Sequence, residues 1–146
     1  MKNEKLFFTL SGFLSVLFFL WFLALSAHLI AQNAKLGLFF LSLCAIAFFL
    51  VSALRRLIGA KRPYQERSIP ALRHGKDDSF PSRHAYSCFF ITAVTFFFFP
   101  IASIPLLAVS TLLCIFRVLS GVHYTLDVIA GALLGIAFGL ITILFI

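Results

Sequence analysis

Five apolar runs, residues 6–30, 36–54, 85–99, 104–116 and 128–146, take up most of this 146-residue chain and leave little room for a charged exterior. A helix that crosses a bilayer needs about 17 to 25 predominantly apolar residues, and each run is near that length once the third and fourth are allowed their polar ends. Hydrophobic residues make up 62% of the chain and charged residues 12%, and the mean hydropathy is +1.07. A soluble domain must clothe its core in charge, whereas a helix in lipid can show Leu, Ile and Phe on its outside. The expected architecture is all-α: an integral membrane bundle of about five transmembrane helices, with residues 1–146 as a single membrane domain and no repeat or linker dividing it. The runs Phe89-Phe90 and 96–99, drawn from twenty Phe in all, read as bilayer-facing surface. Lys2 and Lys5 before the first run resemble the start of a signal peptide, but the apolar stretch exceeds the usual 7 to 15 residues or so, so it reads as a retained anchor.

Pro100 and Pro105 bracket a short turn and predict that the third and fourth runs form an antiparallel hairpin. Between the second and third runs lies the one long polar stretch, residues 55–84, with Pro63, Pro70, Pro81, two aspartates and most of the cations. Loops beyond about 12 to 15 residues are usually functional in compact folds, and this one is expected to cap the bundle as its catalytic loop. Five crossings put the N-terminus, this loop and the 121–127 turn on one side. The 32–35 turn, the 100–105 turn and the C-terminus fall on the other, so every charged residue except Lys35 shares the first side.

On that side His123 and Asp127 stand at i and i+4, a spacing that shares a helix face and lets the acid hold the ring while its other nitrogen attacks. Ionisable groups at a membrane edge are costly, which makes Arg117, His123 and Asp127 a functional candidate. The same topology brings Arg55, Arg62, Ser82, Arg83, His84, Arg117, His123 and Asp127 within reach of one pocket. Guanidiniums offer planar forks that donate two hydrogen bonds to phosphate oxygens, and two histidines complete a set for phosphoryl transfer.

These residues carry a resemblance to the type 2 phosphatidic acid phosphatase superfamily of membrane lipid phosphatases, whose motifs are written K-x6-R-P, P-S-G-H and S-R-x5-H-x3-D. Here they read Arg55-x6-Arg62-Pro63, Pro81-Ser82-Arg83-His84 and Phe116-Arg117-x5-His123-x3-Asp127, so the resemblance runs from Arg55 to the C-terminus. Three positions depart. Arg55 replaces lysine and keeps the charge. Arg83 replaces glycine, so the backbone there does not need positive φ, and its cation either meets a phosphate or points to headgroups. Phe116 replaces a serine and removes a hydroxyl beside Arg117. The resemblance implies that His123 is the nucleophile and forms a phosphohistidine, with Asp127 fixing its tautomer. It implies that His84 protonates the leaving lipid alkoxide and then activates water. Arg55, Arg62, Arg117 and Ser82, with Arg83 as the added cation, would hold the equatorial oxygens. No metal and no cofactor is implied.

Other polar residues have plainer readings. His28 and His74 are expected to be interfacial; Arg56, Lys61, Arg67, Arg73 and Lys76 to face headgroups or set topology; Asp77 and Asp78 to solvate the loop or pair with those cations; Tyr64 and Tyr124 to be interfacial aromatics, with Tyr64 alternatively bordering the substrate. Cys44, Cys88 and Cys114 lie in apolar runs without a CxxC and read as packing residues. The formal charge of +7 sits beside the spans, which points to lipid headgroups or a phosphate substrate as partners and not to nucleic acid.

The expected substrate is a lipid phosphate: phosphatidylglycerophosphate, phosphatidic acid or undecaprenyl pyrophosphate. The expected location is a bacterial plasma membrane, multi-pass. The positive-inside rule places the catalytic side in the cytoplasm, against which stands the reading that loop cations are kept for substrate. The competing functions are a non-hydrolytic lipid-phosphate transporter and an inactive lipid-binding protein. The soluble vanadium haloperoxidases, related by the same site, are disfavoured by hydropathy. Five helices where the family commonly has six leave one wall thin, which a homo-oligomer would cover.

Overall fold

A computed structural model of the chain describes residues 2–66 and 78–146, and those residues form helices and turns with no strand among them. In order, the helices are α1 (Lys2–Gln32), α2 (Ala34–Ile58), α3 (Pro63–Glu66), α4 (Arg83–Phe98), α5 (Pro100–Leu119) and α6 (Thr125–Leu144). Asn33 separates α1 from α2, and its side chain accepts hydrogen bonds from Lys35 N at 3.0 Å and Leu36 N at 3.3 Å, capping α2 as Asn does well. Gly59, at φ +61°, ends α2 in the left-handed conformation that glycine tolerates and returns its N–H to the Arg55 carbonyl at 3.0 Å.

α1, α2, α5 and α6 are long and apolar enough to cross a membrane. The fifth expected crossing, α4, has only 16 residues, about 24 Å at 1.5 Å per residue. Its N-cap Ser82 is fully buried, and Ala85 and Tyr86 behind it are buried too, so its first turn belongs to the interior of the site and not to the headgroup layer. The distribution of polarity is that of a multi-pass membrane protein. Arg55, Arg62, Arg117, His123 and Asp127 are buried, while Ile101 and Leu144 are 85% and 83% exposed on the outside.

α4 is the centre of the bundle. It runs antiparallel to α5, with Thr92 bonded to Ser110 at 3.0 Å and Cys88 beside Cys114. α1 reaches it through Trp21 Nε1, which donates to Thr95 Oγ1 at 2.9 Å, a use of polar side chains as interhelical glue in lipid. Against α6 it packs in parallel and far more closely. Gly131, Gly135 and Gly139 form a ridge at i, i+4 and i+8. A Cβ added there would lie 2.5 Å from the Ser82 carbonyl, 2.4 Å from the Tyr86 carbonyl and 2.8 Å from the Ala93 Cβ, respectively. Only glycine allows backbones this near.

Three expectations need correction. The predicted turn between Pro100 and Pro105 is helix: Pro100 sits at the first position of α5, where its missing N–H costs nothing, and Pro105 is carried inside the helix. The hairpin it was expected to form turns instead on Phe99 alone, which ends α4 and begins α5. Phe90 is core and not lipid-facing, since it meets Gly135 and Tyr86, whereas Phe96 and Phe97 do face outward. The expectations for Arg67, Arg73, His74, Lys76 and Asp77 lie outside the described residues.

Candidate active site

Five chain segments meet at the end of the bundle that holds the start of α1, the end of α2, the start of α4, the end of α5 and the start of α6. α5 ends with Arg117, and Gly121 at φ +69° turns the chain so that Val122 N and His123 N both donate to the Arg117 carbonyl, each at 3.3 Å. His123 therefore precedes α6 and does not lie on it. The expected helical i, i+4 face is replaced by a helix-entry geometry, because Tyr124 is the N-cap and Asp127 falls in the first turn. Asp127 Oδ2 reaches back to accept from Tyr124 N at 2.9 Å and from His123 Nδ1 at 3.3 Å. The acid and ring still pair as expected, for a different reason.

Both groups are buried. Burial, opposed by the hydrogen bond to Asp127 and reinforced by the charges of Arg117 and Arg62, pushes His123 down to about 4, so the ring is neutral at pH 7 with Nε2 available as a base or nucleophile. Burial, reinforced by the charges of Arg117, Arg83 and Arg62, likewise holds His84, in the first turn of α4, well below the ordinary imidazole range.

The cations are arranged around this pair. Arg117 is buried, its guanidinium lies 5.8 Å from the centre of the Phe8 ring, and its Nε finds no hydrogen-bond partner among the described residues. Arg62 is buried with its guanidinium 5.9 Å from the Tyr64 ring, and Tyr64 N is tied to the Gly121 carbonyl at 3.1 Å, so α3 rides on the 120–124 turn. Tyr64 is thus buried and not the interfacial aromatic expected, whereas Tyr124 is exposed. Phe116, the position where the resembled motif has serine, stacks on Phe7 at 5.5 Å and fastens α1 to the end of α5. Arg83 is the first residue of α4, so its backbone is helical and does not take positive φ. Ser82 is fully buried, caps α4 through Ala85 N at 3.5 Å, and donates its own N–H to the Asp127 carbonyl at 2.9 Å.

Arg55 does something the sequence does not announce. Its guanidinium donates to the backbone carbonyls of Asp78, Ser79 (3.2 Å) and Pro81, clamping the segment that leads into α4. Ser79, absent from every expectation above, is fully buried there: its Oγ donates to Asp127 Oδ2 and lies 3.4 Å from His123 Nδ1. The only sequence signal for it is a hydroxyl two positions before Pro81.

From His84 and Arg83 a cavity of about 610 Å³ extends between α1, α2 and α4, lined by Phe18, Phe22, Phe48 and Phe49 among others. The site thus joins a cationic, histidine-bearing end to an apolar cleft. Cys44 lines that cleft, and Cys88 is buried in the core. At the opposite end of the bundle His28 is exposed and edge-on to Phe99 at 5.0 Å.

The model of the PAP2 superfamily matches residues 35–146. The chain is similar to the protein named Bacitracin transport permease protein BcrC of Bacillus licheniformis, 37% identical over 97 residues that cover 62% of this chain and 48% of the relative. It therefore spans about half the length of that curated relative. Among solved structures it is similar to a transmembrane PAP2 type phosphatidylglycerolphosphate phosphatase from Bacillus subtilis, with a TM-score of 0.76 at 22% identity, over 98% of this chain and 76% of that one. At that identity the likeness shows the fold alone.

Proposed function

The chain belongs to the PAP2 superfamily, and on that premise we propose that it is a lipid phosphatase that hydrolyses a phosphomonoester or pyrophosphate of a membrane lipid through a phosphohistidine on His123. The observation that carries this reading is Arg117 Nε, a charged donor buried without a partner among the described residues, close to a neutral, buried histidine. A buried donor left unmade is costly. Arg62 and Arg55 also act on Arg117 with like charge, and a bound phosphate dianion relieves both penalties at once. His123 Nε2 would attack phosphorus as the bond to the lipid oxygen breaks; His84, held neutral in the free protein by burial and the arginines, would take up a proton as the phosphate dianion binds and give it to that oxygen. His84 would then take a proton from the water that releases phosphate from His123. Arg62, Arg117, Arg83 and Ser82 would hold the equatorial oxygens, and the cleft beyond His84 would take hydrocarbon. The arginines supply the positive charge, so the chemistry asks for no metal.

Purified protein in detergent with chelator is expected to release phosphate from at least one of phosphatidylglycerophosphate, phosphatidic acid and undecaprenyl pyrophosphate. Binding of these lipids without release would favour the transporter reading, which has no use for the His123–Asp127 pair. Loss of release on chelation would reject metal independence.

We also place the site on the cytoplasmic face. Apart from the motif arginines, Lys5, Arg56 and Lys61 lie toward the catalytic end, and Lys35 stands at the opposite one. A reporter fused after Ile146 is then expected to be active only if it is of the kind that works outside the membrane; activity only of a cytoplasmic reporter sinks the assignment.

A further inference from the structure

We propose that Ser79 is a positioning residue of this site: its hydroxyl, delivered by the Arg55-clamped segment, fixes Asp127 and through it the orientation of His123. The inference rests on the reading of His123 as nucleophile, but the geometry stands apart from the motifs that suggested that reading. Asp127 Oδ2 accepts from three donors: Ser79 Oγ, Tyr124 N at 2.9 Å and His123 Nδ1 at 3.3 Å. Two of these come from the neighbourhood of Asp127 itself. Ser79 alone arrives from a distant part of the chain, 48 residues away in sequence.

The hydroxyl has one proton, and it goes to the carboxylate, which only accepts. Its oxygen lone pairs therefore face Nδ1–H of His123 at 3.4 Å, beside the Asp127 oxygen at 3.3 Å. Serine and aspartate together present two acceptors to one ring N–H, which favours the tautomer carrying its proton on Nδ1 and leaves the Nε2 lone pair free to attack. The placement of Ser79 is itself enforced. Ser79 N donates to the Ala60 carbonyl at 2.7 Å, its carbonyl accepts from Arg55 at 3.2 Å, and the flanking carbonyls of Asp78 and Pro81 accept from the same guanidinium. Arg55 thereby acts on the nucleophile through Ser79, by holding the backbone that carries the hydroxyl. A reacting group displaced by about 1 Å can lose on the order of 100-fold in rate.

The test uses the full-length protein in detergent. Ser79→Ala is expected to lower kcat by up to about 100-fold with KM within about three-fold, because a group acting only on the nucleophile's orientation is lost from the transition state and not from ground-state binding. Ser79→Cys, which fills the space with a weak donor, is expected to fall with it; wild-type kcat in the cysteine variant would mean that volume and not the hydroxyl matters, and would overturn the proposal. In an Asp127→Ala background Ser79→Ala is expected to cost less than it does alone, because the carboxylate it fixes is gone, and losses that multiply in full would overturn the proposal as well. The ¹⁵N shifts of the His123 ring at pH 7 report the tautomer without turnover, so they test Ser79 even if no lipid phosphate is hydrolysed. A single Nδ1–H tautomer in wild type and a mixture in Ser79→Ala are expected, and an unchanged single tautomer sinks the proposal.

Discussion

His123→Ala is expected to abolish phosphate release, by at least about 10³-fold, while leaving lipid binding within a few-fold. The arginines and the cleft proposed to hold the substrate are untouched, and what disappears is the atom proposed to receive phosphorus. Asp127→Asn is expected to cost about 10²- to 10⁴-fold, as is usual when the acid that fixes a catalytic ring is replaced by an amide. The measurement is single-turnover phosphate release, with acid-labile labelled protein as a second readout that only wild type should show. His123 being held near 4 where its ordinary value is 6.5 adds a pH signature. The free protein keeps this ring neutral at pH 5, so the part of the acid limb of kcat/KM due to His123 is expected near pH 4 and not near 6.5. The sign for folding follows from the same shift: the unfolded chain binds the proton more readily, so His123's contribution is complete above pH 6.5 and lost as pH falls toward 4. An acid limb that titrates near 6.5 in both wild type and His123→Ala would remove His123 from the nucleophile's role.

Much of this site is legible in the sequence because its chemistry is expensive. Arginines, histidines and an aspartate beside apolar helices have few reasons to exist other than one another, and their spacing is read directly. The pairing of His123 with Asp127 is anticipated, although the local geometry is a helix entry and not a helix face, since nothing in the spacing reveals that α6 starts at Thr125. Ser79 is hidden for the opposite reason. A lone serine in a polar segment is cheap anywhere, and only the clamp by Arg55 buries it against Asp127. Arg55 is read from charge and motif as a phosphate ligand, but a guanidinium fits backbone carbonyls as well as phosphate oxygens, and the three carbonyls it holds are invisible to motif spacing. Phe90 shows the limit of composition, because in a bundle of apolar helices a phenylalanine facing lipid and one facing glycine look the same.

The glycine ridge is the other large effect, and it links packing to catalysis. Gly131→Ala and Gly135→Ala are each expected to lower the melting temperature in detergent by about 5 °C or more, since overpacking against atoms that cannot yield costs about 1 to 3 kcal/mol. The obstructing atoms are the backbone carbonyls of Ser82 and Tyr86, within 2.5 Å of the added methyl, and neither can swing away as a side chain would. The two substitutions should then part company. Gly131 presses on Ser82, next to Arg83 and two residues before His84, so Gly131→Ala is expected to lose at least about ten-fold in phosphate release. Gly135 presses one turn deeper in α4 and should spare more activity per degree lost. Gly12, with nothing within 4 Å of an added methyl, is the control. Alanine is the better helix former by roughly 0.5 to 1 kcal/mol, so Gly12→Ala is expected to be neutral or stabilising. If Gly131→Ala behaves like Gly12→Ala in both melting and turnover, α4 and α6 do not approach at the ridge, and the start of α4 must be held in the site by something other than that contact.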